Sequence, residues 1–213
     1  MLSETQISDI VQDNYLKGSY VEQVTDNHIT GLNERSKLFL EAQKNNSDSS
    51  VLEIGVYQGD TSLLWMELML KNEIINPLLT VDIHLCPGYG DFYLKIMSLL
   101  TKKAQEIALA TSLPYLWRHY PVSDITFMTG IYFDLPIEKL KKYFFINLDG
   151  PHIDSDIIKE INFFYSTLVP GGVMLVDDTR HYTPSGICMK DLAAKNGDRT
   201  EEVFNGFALI KRR

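Results

Sequence analysis

INLDGPHIDSDIIKEINFFYSTLVPGGVMLVDDT, residues 146–179, contains two apolar runs that each end in acid: Asp149 closes the first, Asp177 and Asp178 the second. Both runs are short and bounded by turn residues, and the stretch between them carries apolar residues at helical spacing. The segment therefore reads as a β-α-β unit with two neighbouring parallel strands. Ligands of such sheets bind at the carboxyl ends of the strands. Three carboxylates gathered there repel one another unless something offsets their charge, and an all-oxygen donor set suits a hard divalent cation.

The alternation of strand and helix extends to both sides. Strands are predicted at 51–54, 79–83, 125–128, 144–148 and 173–176, and helices at about 61–70, 91–110, 155–168 and 184–194. GLNERSKLFLEAQKNN (31–46) reads as a further helix that ends in the turn-rich NNSDSS (45–50). Pro114 and Pro121 bracket an aromatic-rich loop, and Pro170, Gly171 and Gly172 mark a helix-to-strand turn. EEVFNGFALIKR (201–212) reads as two strands joined at Asn205 and Gly206, the strongest short hairpin signal. The expected architecture is α/β, a parallel sheet finished by an antiparallel C-terminal hairpin. With 213 residues and 45% hydrophobic content, the chain suits one domain, with a helical extension over 1–48 and a Rossmann-like core over 49–213.

Composition removes several function classes. The formal net charge of -8, without a basic stripe, leaves nucleic acid no electrostatic footprint. Cys86 and Cys188 are too few for a disulfide framework and lack metal-ligand spacing, so a reducing, cytoplasmic setting is expected. The opening MLSETQISDI is polar from its third residue and no apolar run approaches a membrane span, so neither secretion nor membrane insertion is expected. Whether the chain is a monomer or a homo-oligomer stays open.

VLEIGVYQGDTS (51–62) is the second informative motif. It sets Glu53, Gly55 and Gly59 at a strand-to-helix turn, where a missing Cβ lets backbone approach a ligand and the helix N-terminus faces it. The spacing G-x-x-x-G differs from the G-x-G-x-x-G of dinucleotide sites, whose first two glycines admit a pyrophosphate. Asp82 ends the following strand, where a carboxylate can accept both hydroxyls of a ribose. A nucleoside without a pyrophosphate fits these features, and S-adenosylmethionine is the obvious one. The plainer alternative is a glycine-containing turn with a surface Asp.

EIGVYQGDTS (53–62), the strand end at Asp82, LDGPHIDSD (148–156) and LVPGGVMLVDDT (168–179), in this order, resemble class I S-adenosylmethionine-dependent methyltransferases. More narrowly, they are similar to the metal-dependent O-methyltransferases that include catechol and macrocin-type sugar O-methyltransferases. GIYFDLP (130–136) is similar to the macrocin-type pattern as well. The resemblance implies a doubly wound, Rossmann-like seven-stranded sheet with its last strand antiparallel, S-adenosylmethionine over the first two strands, and Mg2+ or another divalent cation at the acids. Carried over by position, Glu53, Gly55 and Tyr57 border the methionine half of the donor, Gly59 opens the turn, and Thr61 meets the donor carboxylate. Asp82 holds the ribose, and Ile131 and Tyr132 lie at the adenine. Asp149, Asp177 and Asp178 are the implied metal ligands, with Asp149 also counted as catalytic. His152 falls where some sugar methyltransferases carry their general base. Departures at Pro151 and Asp154 bear on the acceptor rather than on the reaction.

Such a set has a chemical reason. An alcohol is a poor nucleophile near neutral pH, so the site must stabilise a developing alkoxide, for which a cation and a neutral imidazole suffice. The acceptor expected is a small-molecule hydroxyl, of a sugar or polyhydroxylated natural product first and a catechol-like phenol second. Plainer roles compete for single residues: Asp177 and Asp178 as a helix cap and its solvated neighbour, His152 as a cap of the helix after it, and Trp65, Met66 and Met69 as helix core. Tyr89, Phe92 and Tyr93 are open between pocket lining and core, and His181 is a second candidate for the acceptor site. Two other functions compete: a metal-independent or non-catalytic S-adenosylmethionine binder of the same fold, and an NAD-dependent dehydrogenase, which lacks its glycine fingerprint here.

Overall fold

A computed structural model describes residues 2–18, 26–44, 46, 48–56, 59–73, 75–83, 90–111, 117–122, 142–150 and 154–212. The described strands are β1 (Ser50–Ile54), β2 (Leu78–Ile83), β3 (Trp117–Val122), β4 (Tyr143–Leu148), β5 (Leu168–Asp177), β6 (Arg199–Val203) and β7 (Gly206–Ile210). They form one sheet in the order β3-β2-β1-β4-β5-β7-β6, in which β7 alone runs opposite to the others and pairs antiparallel with both β5 and β6. The described helices are α1 (Glu4–Gly18), α2 (Asp26–Gln43), α3 (Asp60–Lys71), α4 (Gly90–Thr111), α5 (Asp154–Tyr165) and α6 (Pro184–Asn196). This is the Rossmann-like α/β arrangement with a C-terminal antiparallel hairpin that the sequence predicts. No described helix is long and apolar enough to cross a membrane.

Two predicted details are corrected. The aromatic stretch between Pro114 and Pro121 is not all loop, because Trp117–Val122 pairs in register with β2. Pro121 obscured it; β3 lies at the sheet edge, where a missing N–H is tolerated. The predicted strand at 125–128 lies outside the described residues. Pro170, Gly171 and Gly172 do not precede β5 but sit within it. Tyr143 pairs with Leu168 whereas Phe145 pairs with Val173, so the Pro-Gly-Gly run is an irregularity in the ladder, with Gly171 at φ 77°. The hairpin turns at Asn205 (φ 53°), as its Asn-Gly sequence demands.

The core on one face of the sheet fixes where α2 lies. Phe39 is fully buried, stacks on Trp65 of α3 at 4.9 Å and meets Phe145 of β4 edge-on at 5.2 Å; Trp65 and Phe145 close the triangle at 4.9 Å. Trp65, Met66 and Met69 are helix core, as expected. Truncating aromatic anchors of this kind typically costs about 3–5 kcal/mol. Phe39 follows Arg35 by one helical turn, so the packing that anchors Phe39 also fixes Arg35 on the same side of α2.

Candidate functional site

Strand registers bring the predicted acids together. In a parallel sheet, residues in register point to one face and those two further along point to it again. Glu53 is in register with Thr80 on β2 and Asn147 on β4, and Asn147 with Leu175 on β5. Two residues on stand Gly55, Asp82, Asp149 and Asp177. One row of acids and glycine therefore caps the carboxyl ends of four adjacent strands, on the face covered by α2 and α3.

Glu53, Gly55 and Asp82 form the first half of the site. The Glu53 side chain is wholly buried, and burial pushes its carboxyl up to about 8. The Ser62 hydroxyl and the Asn147 amide offset this in part, and the charges of Asp149 and Asp82 add to it. At pH 7 the carboxyl is therefore largely protonated, and Ser62 donates a hydrogen bond to it. Asp82 Oδ2 accepts a hydrogen bond from the Val56 N–H at 3.0 Å, which ties the end of β2 to the turn after β1. Gly59, at φ 75°, is the N-cap of α3 and, as a glycine, offers it no side-chain cap; Thr61 is its second residue and half-buried.

Gly55 joins the two halves. Its φ is +84°, and a Cβ there would lie 1.7 Å from the carbonyl oxygen of Asp149. Its N–H donates to Val81 O at 2.8 Å, while the Asp149 N–H donates to Ile54 O at 2.7 Å. Gly55→Ala is expected to lose at least about 3 kcal/mol of stability, since left-handed strain alone costs roughly 1–2 kcal/mol and a backbone overlap adds to it. Urea unfolding measures this, and a wild-type midpoint would refute the close approach.

Asp149, Asp177 and Asp178 form the second half. The Asp149 carboxyl is held well above the ordinary carboxylate range, first by burial and then by the charge of Asp177, with Asp178 adding to it; Arg35 pulls it back down. Asp178 adopts φ 51°, and its N–H donates to Asn205 O at 2.8 Å, which pins it to the hairpin turn. Arg35 pairs with Asp177. Among the described residues no three His, Cys, Asp or Glu side chains form a metal-holding group as they stand. The donor chemistry nevertheless fits a hard cation: three carboxylates with oxygen donors only, and a mutual repulsion that a bound cation would relieve.

Glu53, Gly55, Gly59, Thr61, Asp82, Asp149, Asp177 and Asp178 thus gather at one end of the sheet. Tyr57, Ile131, Tyr132 and His152 lie outside the described residues, as do Tyr89 and the side chains of Phe92 and Tyr93. Of the alternative weighed for Asp177 and Asp178, the helix cap is overturned, since Thr183 caps α6 and accepts from the Gly186 N–H at 3.2 Å, whereas Asp178 is exposed as a solvated neighbour would be. His181 pairs with Glu202 of β6. Sequence reasoning missed Ser62, Asn147 and Arg35. Asn147 is legible in hindsight as one polar residue inside a strand buried along its whole length. Arg35 shares the buried stripe of α2 with Phe39 and Ala42 at helical spacing, which marks a charge that must find a partner inside.

No protein-family model and no curated protein sequence matches this chain. Solved structures do. The O-methyltransferase NovP matches with a TM-score of 0.63 at 15% identity, over 99% of this chain and 98% of that one. CalS11, a TDP-rhamnose 3'-O-methyltransferase of calicheamicin biosynthesis, matches with a TM-score of 0.63 at 12% identity, over 99% and 96%. The MycE methyltransferase of the mycinamycin pathway, solved with Mg and SAH, matches with a TM-score of 0.55 at 15% identity, over 97% of this chain and 55% of that one. At such identities the likeness defines the fold: this chain has the Rossmann-like fold of these methyltransferases.

Proposed function

We propose that this chain is an S-adenosylmethionine-dependent, divalent-cation-dependent O-methyltransferase acting on a small-molecule hydroxyl, that of a sugar or polyhydroxylated natural product before a catechol-like phenol. The observation that carries the reading is the adjacency of the two half-sites, a glycine turn with Asp82 on one side and three carboxylates on the other, meeting where Gly55 packs on Asp149. NovP and CalS11, which share the fold over nearly their whole length, are O-methyltransferases by name, and CalS11 acts on a sugar nucleotide.

In this reading Gly55 and Gly59 let backbone close on the methionine half of the donor, with Tyr57 beside it and Thr61 at its carboxylate. Asp82, oriented by the Val56 N–H, accepts the ribose hydroxyls. Ile131 and Tyr132 border the adenine. Glu53, largely neutral at pH 7, supports the turn through Ser62 without adding a full charge beside Asp149. Asp149, Asp177 and Asp178 hold the cation. When bound, the sulfonium donor supplies an electrophilic methyl group and the cation a Lewis acid and template for the acceptor oxygen. His152, three residues past Asp149, takes the hydroxyl proton as a neutral imidazole. The protein's remaining task is alignment of donor and acceptor.

Titration calorimetry tests the donor half. The chain is expected to bind S-adenosylmethionine or its demethylated product and to ignore NAD(H). Asp82→Ala is expected to weaken that binding by about 1.5–3 kcal/mol, the scale of hydrogen bonds to a charged group. An unchanged affinity removes Asp82 from the site. One observation favours a second reading, a metal-independent enzyme: Arg35 already sets a positive charge against Asp177.

A further inference from the structure

The acid cluster carries a cation of its own, supplied by a helix that the donor and acceptor chemistry does not use. Arg35 is 8% exposed. Its Nη2 pairs with Asp177 Oδ1 and donates to the carbonyl oxygens of Phe204 at 3.3 Å and Asn205 at 3.2 Å, at the β6–β7 turn. The neighbouring Glu34 accepts from the Phe204 N–H at 2.7 Å, so α2 holds that turn from two adjacent side chains. The guanidinium charge also reaches Asp149. Its fork is incompletely used: Nε is buried with no hydrogen-bond partner among the described residues. A one-pronged pair lacks the geometric advantage that makes Arg–carboxylate forks hard to displace. The carboxylate it holds is one of the three that the proposed cation needs.

We propose that Arg35 and the divalent cation compete for Asp177, so that Arg35 guards the acid cluster in the metal-free protein and releases the carboxylate when the cation enters. This rests on the reading of Asp149, Asp177 and Asp178 as a cation site. The competition follows from charge: the guanidinium and a divalent cation are both positive, and two cations cannot share one carboxylate in a half-buried site without mutual repulsion. Arg35 is then a positioning residue, acting on the cation through Asp177.

Two measurements test it. Calorimetry of Mn2+ with the wild type and with Arg35→Met is expected to show the variant binding at least about tenfold more tightly, the scale of one charge-assisted hydrogen bond removed from competition. In the wild-type protein labelled with 15N-arginine, the guanidinium signal of Arg35, assigned by its loss in Arg35→Lys, is expected to shift and exchange faster with water at saturating Mg2+. The second measurement stands even where Arg35→Met fails to fold. Equal or weaker Mn2+ affinity in Arg35→Met overturns the competition, as does an Arg35 signal indifferent to Mg2+. Binding at equal affinity in both proteins removes the competition alone. Absence of Mn2+ binding in both removes the cation site, and this inference with it.

Discussion

Stripping divalent cations from the protein is expected to lower methyl transfer by roughly 1,000-fold, the several kcal/mol that an electrophilic cation contributes at a developing alkoxide. Added Mg2+ restores it. Donor binding largely survives, because the turn formed by Gly55, Val56 and Asp82 is held by backbone and carboxylate contacts that need no metal. Asp149→Asn is expected to cause a comparable loss even in excess Mg2+, since it removes an anionic ligand at a half-buried member of the set, on which the charges of both Asp177 and Asp178 bear, whereas Asp178 is exposed. Asp178→Asn is the milder change, as an amide still offers an oxygen. Turnover with and without chelator, metal content and donor affinity on the same samples decide the matter. Full activity in metal-free protein would leave the acids to Arg35 and establish the metal-independent reading.

Much of this site was legible because its signals are local. The acid ends at Asp149 and at Asp177 and Asp178, the glycine turn at Gly55, and the hairpin at Asn205 and Gly206 each follow from a few neighbouring residues, and alternation along the strands then sets Gly55, Asp149 and Asp177 on one face. What was not legible depends on contacts between segments far apart in the chain. Arg35 looks like one of several charges in a helix until Phe39 packs between Trp65 and Phe145 and brings it to Asp177. Asn147 looks like an interruption of an apolar run until the register sets it beside Glu53. The misplacement of β3 has a different origin. Pro121 argues against a strand by its own chemistry, and only the edge position of β3, a property of the whole sheet, makes it harmless. The Pro-Gly-Gly run before Val173 misled in the same way, because turn residues also serve irregularities within a ladder.

His152→Ala is expected to lower turnover by roughly 100- to 10,000-fold, the range that positioned general bases contribute, with donor affinity nearly intact. The argument is one of sequence position: His152 follows Asp149 by three residues and precedes the start of α5 at Asp154. A cation that lowers the acceptor's own pKa takes over part of the work, so the lower end of that range is the firmer expectation. In the wild type, turnover falls as falling pH protonates the base, because only the neutral ring accepts a proton. The variant loses that limb. Saturating Mg2+ is needed for the comparison, since Asp149 is held above the ordinary carboxylate range and its protonation competes with cation binding in the same pH region. A helix-capping His152 gives a different pattern, in which the melting temperature falls and turnover per folded molecule is preserved. Turnover, donor affinity and melting temperature measured on one preparation separate the two roles. Near-normal turnover in His152→Ala would falsify the base assignment and pass the proton to a group outside this stretch, with the His181–Glu202 pair at the hairpin as the first place to look.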